Sequence, residues 1–495
     1  MKNKLKILMV FSEVTPFSKT GGLADVGGAL PKFLKDMDHD VRIITPQYLA
    51  INERKYILRD VIRLQNIEVP IGKKNVKINV KSAFLPNSKV QVYFINHKSL
   101  FFRSGLYVDP RNGSDYPDND KRFTVFSRGV LETLNKLQWQ PDIIHCNDWQ
   151  TGLIPFFLKT AFKDDPFFNH TYSIFTVHNV AYQGNYSIDS VKEIGIDHEY
   201  CESGGPLEFH GKCSFLKAGI VFADMVNTVS ENYAREIQSS SDFGCGFESI
   251  IRSRKNDFFG VLNGIDDTVW NPETDTYIPE NYNIDDLDKK KQNKEALLNE
   301  LSLPYEPEVP VISMITRLVD QKGIDLIYDV FDEMMRLKIF FILIGIGDES
   351  YHRFFKQAQK KYKDRVRVNL TFNERLAHLV IAGSDIFLMP SKTEPCGLTQ
   401  LYGLKYGTVP LVHKIGGLAD TVHPFDLDAD KGNGFVFDKY DSKQLLKVLK
   451  QVVKQYSDQK TWVRIMKNGM KEDFSWRISA RKYVQLYYKC ISKKK

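Results

Sequence analysis

Cysteine is scarce in this chain of 495 residues: six, at positions 146, 201, 213, 245, 396 and 490. None forms a Cys-x-x-Cys pair and none has zinc-ligand spacing, which argues against a structural zinc module. Six reduced thiols in a cytoplasmic protein are expected. No apolar run approaches the roughly 18 residues of a membrane-spanning helix, so no membrane partner is expected. No apolar segment with a cleavage site precedes the first strand-like run, so no secretory leader is expected. Charge of one sign is not in strong excess either: 68 Lys and Arg face 61 Asp and Glu, a net +7. The positive charge is spread along the chain, which leaves no nucleic-acid footprint but suits a phosphate-bearing substrate.

What is present is a globular composition, 42% hydrophobic and 26% charged, in a chain too long for one ordinary core. Short apolar runs alternate with helical patterns throughout, the pattern of a doubly wound α/β fold. Asn-Gly, Asn-Pro and clustered acids place a hinge at about 260–275, which divides the chain into domains 1–262 and 263–475. The following stretch, with Asp285-Asp286 and Lys289-Lys290-Lys291 and ending in a short helix to Leu301, reads as a solvated face. A final helical segment, 476–495, carries Tyr483, Val484, Leu486 and Tyr487 at packing spacing.

The organising stretch is Ser18-Lys19-Thr20-Gly21-Gly22-Leu23-Ala24-Asp25-Val26-Gly27-Gly28. It follows the apolar run Leu5–Phe11 and precedes the helical run Ala29–Leu34. Such a strand–glycine turn–helix suits an anion, because glycines let backbone approach a phosphate and a helix start offers unpaired N–H groups. Lys19 adds a cation, and a charge-assisted contact of that kind contributes roughly 1.5–3 kcal/mol. The residue order is neither a P-loop nor a GxGxxG fingerprint. A tight turn with a surface lysine is an equally good reading of the spacing alone.

Other candidates lie at strand ends, where α/β sheets carry their ligands. Asp142–Gln150 and Ser173–Asn179 both finish in polar residues, including Asp148, His178 and Asn179. A polar, turn-rich loop from Tyr107 to Asn119, containing Tyr116, suits the flank of a sugar site or a plain surface loop. Arg317 and Lys322 flank a helix start, where two cations and the dipole would meet a diphosphate; two solvated cations are the plain alternative. Glu394-Pro395-Cys396-Gly397-Leu398-Thr399-Gln400 joins a strand to a helix. Its N–H groups suit phosphate or sugar oxygens, and Glu394 is either a crevice acid or an ordinary helix-start acid. Cys396 has no activating histidine partner nearby in sequence and reads as packing. Gly-Gly-Leu-Ala-Asp occurs twice, at 21–25 and 416–420, each time after a strand and before a helix.

Lys19–Val26 resembles the N-terminal signature of bacterial glycogen synthases and plant starch synthases. Thr176–Gly184, Thr316–Leu318 with Gln321–Gly323, Glu394–Gln400, Gln400–Gly407 and Gly416–Thr421 resemble further motifs of that family, in family order. The resemblance runs from Lys19 to Thr421, and the lack of a plastid transit peptide favours the bacterial type. It implies a GT-B fold: two Rossmann-like doubly wound domains facing across a cleft, with the C-terminal helix returning to the N-terminal domain. It implies a retaining hexosyltransferase that moves glucose from ADP-glucose to an α-1,4-glucan such as glycogen, without a metal or other cofactor.

On that resemblance the catalytic set is Glu394, His178, Arg317 and Lys322. The donor set is Lys19, Gly21, Gly22, Asn263, Arg317, Lys322, Phe372, Cys396, Gly397, Leu398 and Thr399. Lys19, Arg317 and Lys322 would hold the diphosphate, while His178, Asn263 and Glu394 would surround the glucose. Asp25, Asp148, Asn179 and Tyr116 are placed on the acceptor side. Two departures touch nucleotide preference: Phe372 stands where the family often has Tyr, and Ile346 where a smaller or polar residue is usual. Phe stacks on a base but lacks the hydroxyl.

Overall fold

A computed structural model describes residues 4–371 and 373–493. The chain divides into two compact units: the first comprises 1–229, 234–261 and 476–495, the second 230–233 and 262–475. Each is an α/β unit built on its own sheet.

In the first unit the sheet runs, in spatial order, Phe258–Gly260, Met225–Thr228, Tyr172–Val177, Ile143–Asn147, Lys6–Val10, Asp40–Pro46, Gln91–Asn96, Lys74–Phe84 and Arg59–Asp60. The strands from Phe258–Gly260 to Gln91–Asn96 are parallel; Lys74–Phe84 turns back antiparallel and also pairs with Ile67–Ile71. Ile7, Leu8, Met9 and Val10 are all fully buried, as a central strand covered on both faces requires. Strand order reverses between Lys6–Val10 and Ile143–Asn147, so the carboxyl ends of these two strands form a topological switch point.

The first helix, Gly22–Asp36, begins seven residues before the expected run at Ala29. Gly27 and Gly28 are thus inside the helix rather than in a long turn. A Cβ at Gly28 would come within 2.7 Å of the Thr15 carbonyl oxygen, so the glycines allow the helix to lie against the chain leaving the first strand. The loop 107–119 is partly structured, with a small hairpin pairing Val108–Asp109 and Ser114–Asp115.

The C-terminal helix, Trp476–Ser492, belongs to this unit. Its buried Trp476, Ala480, Tyr483, Tyr487 and Cys490 recur at three- and four-residue steps, one apolar face. A hydrogen-bond relay pins it to the sheet. Tyr487 OH lies 2.8 Å from His145 Nδ1, and His145 Nε2 lies 2.6 Å from Thr176 Oγ1. Thr176 in turn donates to Asn227 Oδ1 at 2.7 Å, so its oxygen accepts from His145 and Tyr487 donates to Nδ1. Burial lowers the His145 pKa to about 3, which keeps the imidazole neutral.

The second unit's sheet is fully parallel, in the order Val366–Asn369, Phe340–Ile344, Val311–Ile315, Ile386–Met389, Val409–His413, Phe435–Phe437. By chain position this is the Rossmann order 3-2-1-4-5-6. Ile312 and Met314 face Ile327, Val330 and Phe331 of the helix Ile324–Met335 on one side. Val311 faces Leu376, Leu379 and Val380 of the helix Glu374–Gly383 on the other. Each β-face thus has its own helix layer, as alternating side chains dictate.

Two expectations are corrected. The stretch around Lys289-Lys290-Lys291 is only partly solvated. Lys290, 6% exposed, donates to the Ala382 carbonyl at 2.6 Å and the Thr408 hydroxyl at 2.7 Å, and burial lowers its pKa to about 7. Lys294 is buried on the Val309 carbonyl and pairs with Asp385 at 2.8 Å. Long aliphatic stems let these lysines reach buried acceptors at the end of the helix Glu374–Gly383 and beside the strands Val311–Ile315 and Val409–His413, which a charge run does not reveal. The cysteines are not all reduced: Cys201 and Cys213 form a disulfide, while 146, 245, 396 and 490 are free. The hairpin of Glu208–Phe209 with Lys212–Ser214 folds Cys213 back over a separation of 12 residues, a pairing outside the spacing rules applied above.

Candidate functional site

In the first unit the candidates gather at the carboxyl ends of the central strands. Gly21, in extended conformation, precedes the helix Gly22–Asp36, whose start has no side-chain cap. The first N–H groups of that helix therefore have no side-chain acceptor in the turn. Lys19 Nζ lies 2.6 Å from Asp25 Oδ1, and Thr15 donates to the same oxygen at 3.3 Å. Asp25 thus holds the lysine at the turn.

Asp148 directly follows the strand Ile143–Asn147 with a positive φ of 57°. A non-glycine residue rarely adopts that conformation unless its surroundings fix it. Its carboxylate accepts from the His178 N–H at 2.6 Å and from the Asn179 N–H, so it orders the end of the neighbouring strand. Burial raises its pKa to about 7 despite those bonds. His178 Nε2 lies 2.9 Å from Asn147 Oδ1. The Asn147 amide donates to the Val10 carbonyl at 3.1 Å, which orients Oδ1 as the acceptor. His178 therefore carries its proton on Nε2 and keeps Nδ1 as an acceptor. Burial lowers its pKa to about 3, so it stays neutral.

Tyr116 is buried at the base of its loop, to the same extent as Asp148. It is 8% exposed, its hydroxyl accepts from Gly105 N–H at 3.2 Å, and Arg103 and Arg122 lie over its ring at 4.7 and 5.1 Å. It anchors the loop that the sequence reading placed beside the sugar. Glu13, absent from that reading, sits beneath the glycine turn: Oε2 accepts from the Thr20 N–H at 2.6 Å and the Thr20 hydroxyl at 2.7 Å. Its position just past the first strand was the available signal.

In the second unit the switch point lies between Val311–Ile315 and Ile386–Met389. Arg317, exposed, follows the first of these strands. Lys322 closes the short turn Asp320–Lys322, and Gly323, with a φ of 69°, opens the helix Ile324–Met335. A Cβ at Gly323 would collide with the Pro390 carbonyl, so only glycine lets this turn press against the neighbouring strand end.

Lys322 Nζ then lies 2.6 Å from Glu394 Oε2, their side chains 17% and 8% exposed. Ser391 donates to the same oxygen at 3.0 Å, a partner the sequence reading did not name. Gln321 donates to Thr393 Oγ1 at 2.6 Å, a second tie between the two segments.

Cys396 is buried, and burial raises its thiol pKa to about 12, with the Asn263 backbone N–H and the neighbouring acids acting more weakly. A thiol so held is a poor nucleophile. Asn263 is itself buried, and its Oδ1 has no hydrogen-bond partner among the described residues. An unpaired buried oxygen is costly, so this one suits a ligand hydroxyl. Gly397, with a φ of 71°, and Leu398 lead into the helix Thr399–Lys405. Gly416 and Gly417 of the second Gly-Gly-Leu-Ala-Asp copy lie against the backbone of Glu394 and Cys396, and the Gly417 N–H donates to the Glu394 carbonyl at 3.0 Å. Phe372 lies outside the described residues. Among the described residues no group of three His, Cys, Asp or Glu side chains is placed to hold a metal ion. Nor is any described helix long and apolar enough to cross a membrane.

Comparison with known proteins extends this geometry. Residues 6–253 match the family model of the starch synthase catalytic domain, and residues 302–471 match that of glycosyl transferases group 1. A glycogen synthase of Desulforudis audaxviator is 43% identical over 99% of this chain and 97% of its own length. One of Thermotoga maritima is 42% identical, covering 99% of both. Among solved structures, the catalytic domain of starch synthase IV from Arabidopsis thaliana, bound to ADP and acarbose, matches with a TM-score of 0.91. It is 33% identical and covers 99% of this chain and 100% of that one. A sucrose-phosphate synthase from Thermosynechococcus elongatus, 14% identical with a TM-score of 0.61, shares the fold.

Proposed function

Because the chain belongs to the family of bacterial glycogen synthases and plant starch synthases, we propose that it moves glucose from ADP-glucose to the 4-hydroxyl at the non-reducing end of an α-1,4-glucan, with retention. That it is a glycosyltransferase acting in glycogen synthesis follows from the family. The donor, the hydroxyl and the stereochemistry are the reading offered here.

The observation that carries this reading is the Lys322–Glu394 pair at the switch point of a Rossmann-ordered sheet. Departure of a nucleoside diphosphate develops negative charge on its leaving oxygen. Fixed cations lower the barrier when they are already in place, and the Lys322 ammonium is held by Glu394 and the turn before the helix. Arg317 adds a second cation on the adjoining strand end. Glu394, freed of part of its ion pair by the diphosphate, accepts from a donor glucose hydroxyl. Asn263 Oδ1 accepts from another, and the Gly397–Thr399 N–H groups supply donors.

In the first unit, the Lys19–Gly22 turn presents a cation and the N-terminal end of the helix dipole to a donor phosphate. His178, neutral, offers Nδ1 as an acceptor for a sugar hydroxyl. Asp25, Asp148 and Asn179 make the acceptor-side polar set. No metal takes part in the proposed reaction, and the cytoplasm is its proposed setting. ADP on the starch synthase neighbour favours the adenine nucleotide.

The test is glucose transfer to glycogen from ADP-glucose and UDP-glucose side by side, with and without EDTA. Preferred transfer from ADP-glucose, unaffected by EDTA, supports the reading. Preference for UDP-glucose overturns the donor, metal-reversible inhibition overturns the metal-free chemistry, and no transfer from either overturns the reaction.

A further inference from the structure

Glu13 is 2% exposed and its carboxylate meets three donors of two successive residues: the Thr20 N–H, the Thr20 hydroxyl and the Gly21 N–H. Thr20 and Gly21 lie between Lys19 and the first residue of the helix Gly22–Asp36. The turn that offers the cation and the helix N–H groups is therefore held from below by one side chain. We infer that Glu13 is a positioning residue: it fixes the Lys19–Gly22 turn in the conformation that receives the donor's phosphate. This rests on the reading of that turn as donor-binding.

The surroundings of Glu13 favour a positioning role over simple packing. The carboxyl groups that interact with it from the packed elements are Asp25 on the helix Gly22–Asp36 and Asp148 past the strand Ile143–Asn147, while Tyr48 past Asp40–Pro46 and Tyr107 in the 107–119 loop face it as neutral phenols whose pKa burial raises. The nearest cation of the turn, Lys19, is bound to Asp25. A buried carboxylate facing acids is retained at a cost in stability that a neutral side chain would avoid. What the carboxylate supplies is a stronger acceptor for the Thr20 and Gly21 donors. Burial moves its pKa up to about 7, so the stronger acceptor is the form present on the alkaline side of neutrality. Gly21 matches this arrangement: a Cβ there would stand 3.9 Å from Glu13 Oε1, ordinary contact, so the glycine serves the phosphate side of the turn rather than making room for Glu13.

The experiment measures ADP affinity by calorimetry at pH 8 and pH 6 for the wild type, Glu13→Gln, Thr20→Val and Thr20→Ser. Donor KM and kcat are measured on glycogen alongside. Glu13→Gln replaces one acceptor oxygen by an NH2 and removes the charge that the Thr20 and Gly21 donors share. It is expected to bind ADP roughly tenfold more weakly at pH 8, the scale of one charge-assisted hydrogen bond. The gap to wild type is expected to narrow at pH 6, and donor KM to rise more than kcat falls. Thr20→Val is expected to show a smaller loss, about threefold for one hydroxyl contact, which Thr20→Ser restores. Equal ADP affinity in wild type and Glu13→Gln at both pH values overturns the inference while leaving the donor reading intact. Should Glu13→Gln not fold, equal affinities across the three Thr20 forms overturn it. A wild type that binds no ADP overturns the donor reading, and the Glu13 inference with it.

Discussion

Lys322 Nζ and Glu394 Oε2 stand 2.6 Å apart across the switch point of the second unit, both largely shielded from water. The pair joins the turn Asp320–Lys322 to the segment that follows the strand Ile386–Met389. Removing one partner of a buried pair leaves the other charge uncompensated, at a cost of roughly 3–5 kcal/mol. Lys322→Ala is therefore expected to lower stability to urea as well as turnover. In the double variant with Glu394→Ala, the stability loss is expected to be smaller than the sum of the single losses. Additive losses in that cycle would show that the two charges are not coupled.

Arg317 separates chemistry from stability. Its side chain is exposed, where an ionic contact contributes little, so Arg317→Ala is expected to change stability by no more than about 1 kcal/mol. Loss of one preorganised charge at a leaving group costs about 2.7–4 kcal/mol, a fall of about 10²–10³ in turnover. Steady-state kinetics with glycogen, beside a thermal melt, reads both. Near-normal turnover would remove Arg317 from the mechanism.

Gly416 has a φ of 46°, and a Cβ there would collide with the Glu394 carbonyl. Gly416→Ala is expected to push the Glu394 segment out of place, with a destabilisation of about 1–3 kcal/mol and a loss of turnover exceeding any loss of ADP affinity. Gly211 serves as the control: its φ is 73° but a Cβ meets nothing within 4 Å, so Gly211→Ala is expected to keep full turnover. Equal turnover in the two variants would contradict the close-packing role of Gly416.

Stability should depend on pH through Glu13. Its folded-state pKa is raised from 4.5 to about 7 by burial. Between those values the native chain keeps a proton that the unfolded chain has released, so stability falls as pH rises and the loss is complete above about pH 7. Glu13→Gln does not titrate. From pH 4 to pH 8 the stability of wild type relative to that variant is expected to fall by on the order of 3 kcal/mol. Asp148 is raised in the same direction mainly by burial, which both chains share; the smaller part owed to the Glu13 charge is lost in the variant and adds to the same fall with pH. Urea unfolding at the two pH values checks the sign; a difference that stays constant or grows with pH would contradict it.

The family motifs and the strand ends were legible because they are local: an apolar run followed by polar residues marks a strand leaving a sheet. Lys322 and Glu394 were both named from such ends, but their ion pair depends on two strands adjacent in space and 72 residues apart in sequence. The same holds for Glu13, whose role appears only once Thr20 folds back over it. Gly27 and Gly28 misled the reading of the first helix, since helix propensity counts against glycine and the tertiary approach to Thr15 outweighs it. Lys290 and Lys294 misled in the other direction: a charge run reads as solvated until the carbonyls that receive it are in place. The burial of Tyr116 beneath Arg103 and Arg122 was likewise hidden, because the polarity of its loop does not show which ring turns inward.

The most direct measurement of the central claim is proton NMR of the product formed from ADP-glucose and a short maltooligosaccharide. The expected result is growth of the α-1,4 anomeric signal, with the chain lengthened at its non-reducing end and one ADP released per glucose added. A β-anomeric product, a different linkage, or ADP release without chain growth would contradict it.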